Sequence, residues 1–151
     1  MTIIEKLAAW IDRVLHGGSL ATDPRHGLGM RGEAAAEKFL KRLGYKIVER
    51  RLRTRLGELD IVAVDGRTIV FVEVKTWQNP SGGDHPADAV DLKKQRQLTK
   101  AGTSYLKRKG LLEYASRFDV IAVTWVDSDR KPKIEHYVNA FDAVGNGEFF
   151  S

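Results

Sequence analysis

Two apolar runs carry charge where charge is expensive. Asp60 lies inside Leu59–Val64 (LDIVAV), and Glu73 and Lys75 close Thr68–Lys75 (TIVFVEVK). Ionised groups among Ile61, Val62, Val70, Val72 and Val74 are costly to bury unless they are paired or bind a metal ion. Two carboxylates and an amine in this pattern are suited to holding one hard divalent cation beside an ammonium group. The plainer alternative is an internal ion pair, Glu73–Lys75 or Asp60–Lys75, capping a strand end.

The two runs flank Asp65-Gly66, a strong local signal for a β-hairpin. With Val64 facing Arg67 across a two-residue loop, Asp60 is expected opposite Phe71, and Glu58 opposite Glu73. Residues directly opposed, and residues two apart along a strand, share a face. Glu58, Asp60, Phe71, Glu73 and Lys75 are therefore expected on one side of the sheet. Asp60 and Glu73 become diagonal neighbours, with Cβ atoms roughly 7–8 Å apart or less.

The elements that must position this hairpin follow from periodicity. Ile3, Ile4, Leu7, Ile11, Val14 and Leu15 predict an amphipathic helix over 3–15. A second helix is expected over about 31–43, with Gly44 as its stop. Tyr45–Glu49 reads as a short strand, followed by an arginine-rich link. After the hairpin come a loop over 77–88, a helix from about Ala89 to Arg108, and strands at Phe118–Val126 and Lys133–Val138. The expected division is an N-terminal helix and linker (1–29), one domain (30–141) and a C-terminal tail (142–151).

Composition narrows the class. The 151 residues include 25 Lys+Arg and 20 Asp+Glu, a net charge of +5, and no Cys. Disulfides, thiolate metal sites and thiol catalysis are excluded. No apolar run approaches the ~20 residues of a membrane span, and the charged N-terminus does not read as a signal peptide. A cytoplasmic location is the expectation. Residues 92–112 hold Lys93, Lys94, Arg96, Lys100, Lys107, Arg108 and Lys109, and Arg50, Arg51, Arg53 and Arg55 lead into the hairpin. Such clusters suit phosphate neutralisation, although both also fit the solvated faces of a basic protein.

GELD (57–60), VFVEVK (70–75) and a following helix with Lys94 together resemble the PD-(D/E)XK nuclease superfamily. More narrowly, RGEAAAEKFLKRLGY (31–45), GELDIVAVDG (57–66), VFVEVKT (70–76), RFDVIAV (117–123) and NAF (139–141) resemble the YraN family of small, endonuclease-like bacterial proteins. The resemblance implies an α/β fold: a restriction-endonuclease-like three-layer core (αβββαβ) with a mixed central sheet, here with an extra N-terminal helix. It implies that Asp60, Glu73 and the Val74 carbonyl hold Mg²⁺ or Mn²⁺, and that Lys75 is the catalytic lysine. Glu33 matches the auxiliary acid, with Glu37 as the alternative and Glu58 as a further candidate ligand. Arg51 stands where the family usually has Asn, and Leu59 rather than Pro precedes Asp60. Trp77 stands where Arg is common.

The implied activity is phosphodiester hydrolysis of DNA or a structured nucleic acid, DNA before RNA. Lys75 would orient the attacking water or stabilise charge on the phosphate. Arg53, Arg55, Lys94 and Arg96 are the expected nucleic-acid contacts, and cutting both strands of a duplex would favour a homodimer. The alternatives are a non-catalytic nucleic-acid-binding module and a scaffold that engages a partner or membrane surface through 3–15. Gly27-Leu-Gly-Met-Arg-Gly32 spells G-x-G-x-x-G, but it does not follow a strand, so a dinucleotide site is not expected. Asp119 reads as a residue that holds a strand end.

Overall fold

A computed structural model describes residues 27–78, 90–126 and 130–144. The expected helix over 3–15, nearly all of the loop over 77–88, and most of the tail lie outside these residues. The described elements are α1 (Gly27–Arg42), β1 (Lys46–Thr54), β2 (Gly57–Asp65), β3 (Thr68–Gln78), α2 (Leu92–Lys109), β4 (Ser116–Trp125) and β5 (Lys133–Phe141). This is the αβββαβ order with one more strand.

The strands form one five-stranded sheet in the order β1-β2-β3-β4-β5. β3 and β4 pair in parallel, and the other neighbours are antiparallel. A parallel step needs a crossover, which α2 provides. The result is a three-layer α/β domain with a mixed sheet between two helices. Among the described residues, no helix is long and apolar enough to cross a membrane.

Both sheet faces are buried, which is why these strands read as nearly continuous Val/Ile runs. On one face, Ala36 and Leu40 of α1 pack over Ile61, Ala63, Val70, Val72, Ile121 and Val123. On the other, Leu98, Ala101, Tyr105 and Leu106 of α2 pack over Val62, Val64, Ile69, Phe71, Phe118 and Val120. α1 approaches β3 very closely at one place: a Cβ on Gly32 would lie 1.8 Å from Thr76 Oγ1. The last glycine of the G-x-G-x-x-G string thus serves helix–strand packing.

Several boundaries differ from expectation, β3 running on to Gln78 and β5 to Phe141. α1 begins at Gly27, and α2 begins only at Leu92 because Asp91 is its N-cap, accepting the Lys94 amide hydrogen at 2.8 Å. The arginine-rich stretch is strand rather than link: β1 continues to Thr54, with a register shift between Ile47 and Glu49 and with Arg51 in the left-handed region at φ 48°. Its charges escaped the alternation rule because acids from other elements meet them. The hairpin register also differs. Asp65, not Val64, is the last pair before the turn, and it faces Thr68 across Gly66-Arg67. Each β2 residue therefore sits two places further along β3 than expected. A shift of two preserves the faces.

Candidate metal centre

The β2–β3 ladder ends at Ile61↔Val72, whereas β3 stays paired with β4 through Gln78. Beyond that point β2 and β3 part, and the alternation of β2 breaks. Ile61 packs on the α1 side, but Leu59 joins the α2-side core with Leu52. Continued one residue, the shifted register would set Asp60 opposite Glu73, but the ladder ends before that pair, and Glu58, expected on the same side as Glu73, instead joins Glu33 of α1. In place of a ladder bond, Asp60 Oδ2 accepts the Val74 amide hydrogen at 2.9 Å. The notch between the parted strands is where the candidate side chains gather.

Glu73 is only 5% exposed. Its Oε1 lies 3.5 Å from Lys75 Nζ and 3.5 Å from Lys94 Nζ. Its Oε2 is buried and, while Asp60 is ionised, has no hydrogen-bond donor among the described residues. A buried carboxylate oxygen without a donor is costly in a folded protein. Asp60 is under related stress. Burial first, and then the Glu73 charge, push its carboxyl up to about 7, against the stabilising Val74 amide. Two carboxyl groups pressed together in this way, one with an open lone pair, match the chemistry of a hard divalent cation, which takes oxygen ligands.

A second acidic group adjoins the first. Oxygens of Glu33, Glu58 and Asp60 lie within 4.8 Å of one another. Glu33 comes from the first turns of α1, held against the sheet by the Gly32–Thr76 approach. Burial raises its pKa, the Arg51 hydrogen bond opposes that, and the Asp60 charge raises it further. Arg51 Nε donates to Glu33 Oε2 at 2.5 Å. Asp60 therefore stands between Glu73 on the α2 side and Glu33 with Glu58 on the α1 side.

The other expected residues divide. Glu37 is a structural ion pair: Arg50 binds both of its oxygens and Lys41 lies 2.8 Å away, holding its carboxyl down at about 2. Lys94 joins the centre, and no sequence signal short of the resemblance placed it there. Arg96 is exposed on α2 and Arg55 is exposed in the β1–β2 turn. Arg53 makes only a long exposed contact of 3.8 Å with Glu58. Arg51 is the residue that sequence reasoning missed, since nothing local ties it to Glu33. The ion-pair alternative is also realised, because Lys75 and Lys94 both face Glu73. Those contacts meet Oε1 and not Oε2.

Asp119 lies on β4 opposite Val72 and is fully buried. Burial alone would raise its pKa, but hydrogen bonds from His136, Arg117 and the Asn139 amide hold it below the usual carboxylate value. This network fixes β4 to the irregular end of β5, the structural role expected.

Residues 32–123 match the model of a family described as "Uncharacterised protein family UPF0102". That span includes Glu33, Asp60, Glu73, Lys75 and Lys94. A UPF0102 protein of Geobacter sulfurreducens is 52% identical over 115 residues, covering 76% of this chain and 88% of the relative. One from Rhodopirellula baltica is 43% identical over 149 residues, covering 97% and 87%. Among solved structures, Pyrococcus furiosus SfsA in complex with Ca²⁺ aligns at 15% identity with a TM-score of 0.31, covering 82% of this chain and 66% of that one. That similarity is too slight to define a fold or a site.

Proposed function

The chain belongs to the uncharacterised protein family UPF0102, and from that premise we propose that it is a metal-dependent nuclease of the PD-(D/E)XK type, acting on DNA or a structured nucleic acid. The observation that carries the reading is the buried Glu73 Oε2, left without a donor once the neighbouring Asp60 carboxyl, which burial and Glu73 push up to about 7, gives up its proton. Asp60, Glu73 and the Val74 carbonyl would hold Mg²⁺ or Mn²⁺, with Glu33 and Glu58 within reach of Asp60. When bound, such an ion supplies charge against the scissile phosphate and makes water more acidic.

The chain's own groups do the rest. Val74 N–H fixes the Asp60 carboxylate. Lys94, 3.5 Å from Glu73 Oε1, restrains it from the α2 side. Lys75 stands partly open to solvent at the mouth of the notch, where its ammonium can donate to the attacking water or to a phosphate oxygen as negative charge builds there. In the reaction the water oxygen bonds to phosphorus, the bond to one sugar oxygen breaks, and that oxygen takes a proton. Arg53, Arg55 and Arg96 are exposed, Arg53 with only its long contact to Glu58, and would meet the nucleic-acid backbone.

The reading favours catalysis over simple binding because phosphate binding alone needs cations, not paired buried acids. Mg²⁺ or Mn²⁺ titration of wild type and Lys75→Ala, with linear, branched and single-stranded substrates, tests it. Metal binding in both proteins and cleavage only in wild type is the expected result. Cleavage undiminished in Lys75→Ala, or no metal binding, removes the proposal and leaves a nucleic-acid-binding module with an internal Glu73–lysine ion pair.

A further inference from the structure

α1 has two chemically different flanks. Glu33 and Glu37 turn toward β1, where Arg51 and Arg50 meet them. On the other flank, Arg31, Lys38 and Arg42 border a concavity of about 480 Å³ closed by Trp125, Arg130 and Lys131. All five cations are exposed, and among the described residues none forms an ion pair. Asp127 and Asp129, between Trp125 and Arg130, lie outside the described residues.

We propose that this groove is a second phosphate-backbone binding surface, distinct from the metal centre, that holds the flank of a nucleic-acid duplex. The inference rests on the nucleic-acid reading above and extends it to a part of the chain that reading does not use. Three features single out a polyanion. Among the described residues, the lining has five cations and no acid. Ala34 and Ala35 lie between the cations on α1, so no bulky side chain keeps a backbone from approaching. The Arg31 guanidinium stacks 4.7 Å from the Trp125 ring centroid, which restrains a planar donor that would otherwise lose more freedom on binding.

Length also fits. Arg31 to Arg42 spans eleven residues of helix, about 16 Å at 1.5 Å per residue, or roughly five base-pair rises at 3.4 Å. A membrane surface fits less well. Trp125, the aromatic side chain lining the groove, is 7% exposed and covered by Arg31, so it has no free face to insert.

The test uses the full chain in metal-free buffer with a fluorescent 30-base-pair duplex, reading anisotropy across a salt series. The proteins are wild type, Lys38→Gln/Arg42→Gln, Lys94→Gln/Arg96→Gln, and Arg67→Gln as an exposed cation at the distant hairpin turn. The groove variant should bind about tenfold more weakly, and its log–log salt slope should fall by about 2. Arg67→Gln should change neither. An unchanged affinity and slope in the groove variant, with loss in the Lys94/Arg96 variant, overturns the groove and leaves the nucleic-acid reading standing. No duplex binding by wild type overturns both. Vesicles containing phosphatidylserine form the last arm: loss of vesicle binding in the groove variant without loss of duplex binding also overturns the proposal, in favour of a lipid surface.

Discussion

Asp60 holds the Val74 amide at 2.9 Å, so a side chain on β2 takes over hydrogen bonding at the place where the backbone ladder to β3 has ended. The substitution lets the two strands part without leaving the Val74 donor unsatisfied. It also fixes one Asp60 oxygen and keeps its carboxyl beside Glu73.

This arrangement makes the metal-free protein pH-sensitive in a defined direction. The folded-state pKa of Asp60 is raised from 3.8 to about 7 by burial and by Glu73. A raised carboxyl contributes stability that is fully present below the unfolded value and is lost as pH rises through the folded one. Stability without metal should therefore fall between about pH 4 and pH 7. Asp60→Asn, whose amide oxygen can still accept from Val74, should be more stable than wild type at pH 8 by at least about 1 kcal/mol. Urea unfolding at pH 5 and pH 8 measures this, and an equal pH response in both proteins would refute it.

Metal should act oppositely on the same pair. Binding requires deprotonated ligands, so Mn²⁺ affinity in wild type should strengthen as pH rises through 7, with proton release on binding. Glu73→Gln should weaken the affinity by at least about tenfold. Calorimetry in two buffers of different ionisation enthalpy detects the protons directly.

Glu37 should behave as structure rather than chemistry. Its carboxyl is held at about 2, chiefly by the Arg50 hydrogen bonds and with help from Lys41. A lowered carboxyl contributes stability present above the unfolded value and lost as pH falls through the folded one. Glu37→Gln should cost about 1 kcal/mol or less at pH 7, since its partners are solvent-screened. That difference should vanish between about pH 4.5 and pH 2. Cleavage should be retained, whereas Glu33→Gln should lower it.

Gly32 tests the close approach of α1 to the sheet. In Gly32→Ala the new Cβ meets Thr76 Oγ1, so a loss of about 1–3 kcal/mol is expected. Thr76→Ala in the same chain should restore part of it. If the double variant is no more stable than Gly32→Ala, the contact is not the cause.

Asp119→Ala should be more damaging than either. Arg117 and His136 would lose the buried carboxylate that both of them bond, a change that typically costs about 3–5 kcal/mol. Thermal unfolding should show the loss, and metal affinity in the protein that remains folded should be unchanged.

The arginines of β1 show where local reading stops. Arg50 and Arg51 break the apolar alternation, so the segment reads as a link, yet it is a strand because α1 supplies Glu37 and Glu33 opposite them. Arg51 also sits at φ 48°, a conformation that Asn adopts at lower cost than Arg. Only the folded partner across the gap accounts for the arginine.

By itself, the sequence determined the two buried sheet faces and the crossover helix. Those depend on side-chain alternation, which repeats every two residues and survived a register error of two. Tertiary structure decided how near the acids stand, that β2 and β3 separate beyond Ile61 and Val72, and that Lys94, Glu33 and Arg51 converge there. Distances between elements far apart in the chain are set by how helices pack on a twisted sheet, and no local pattern encodes that packing.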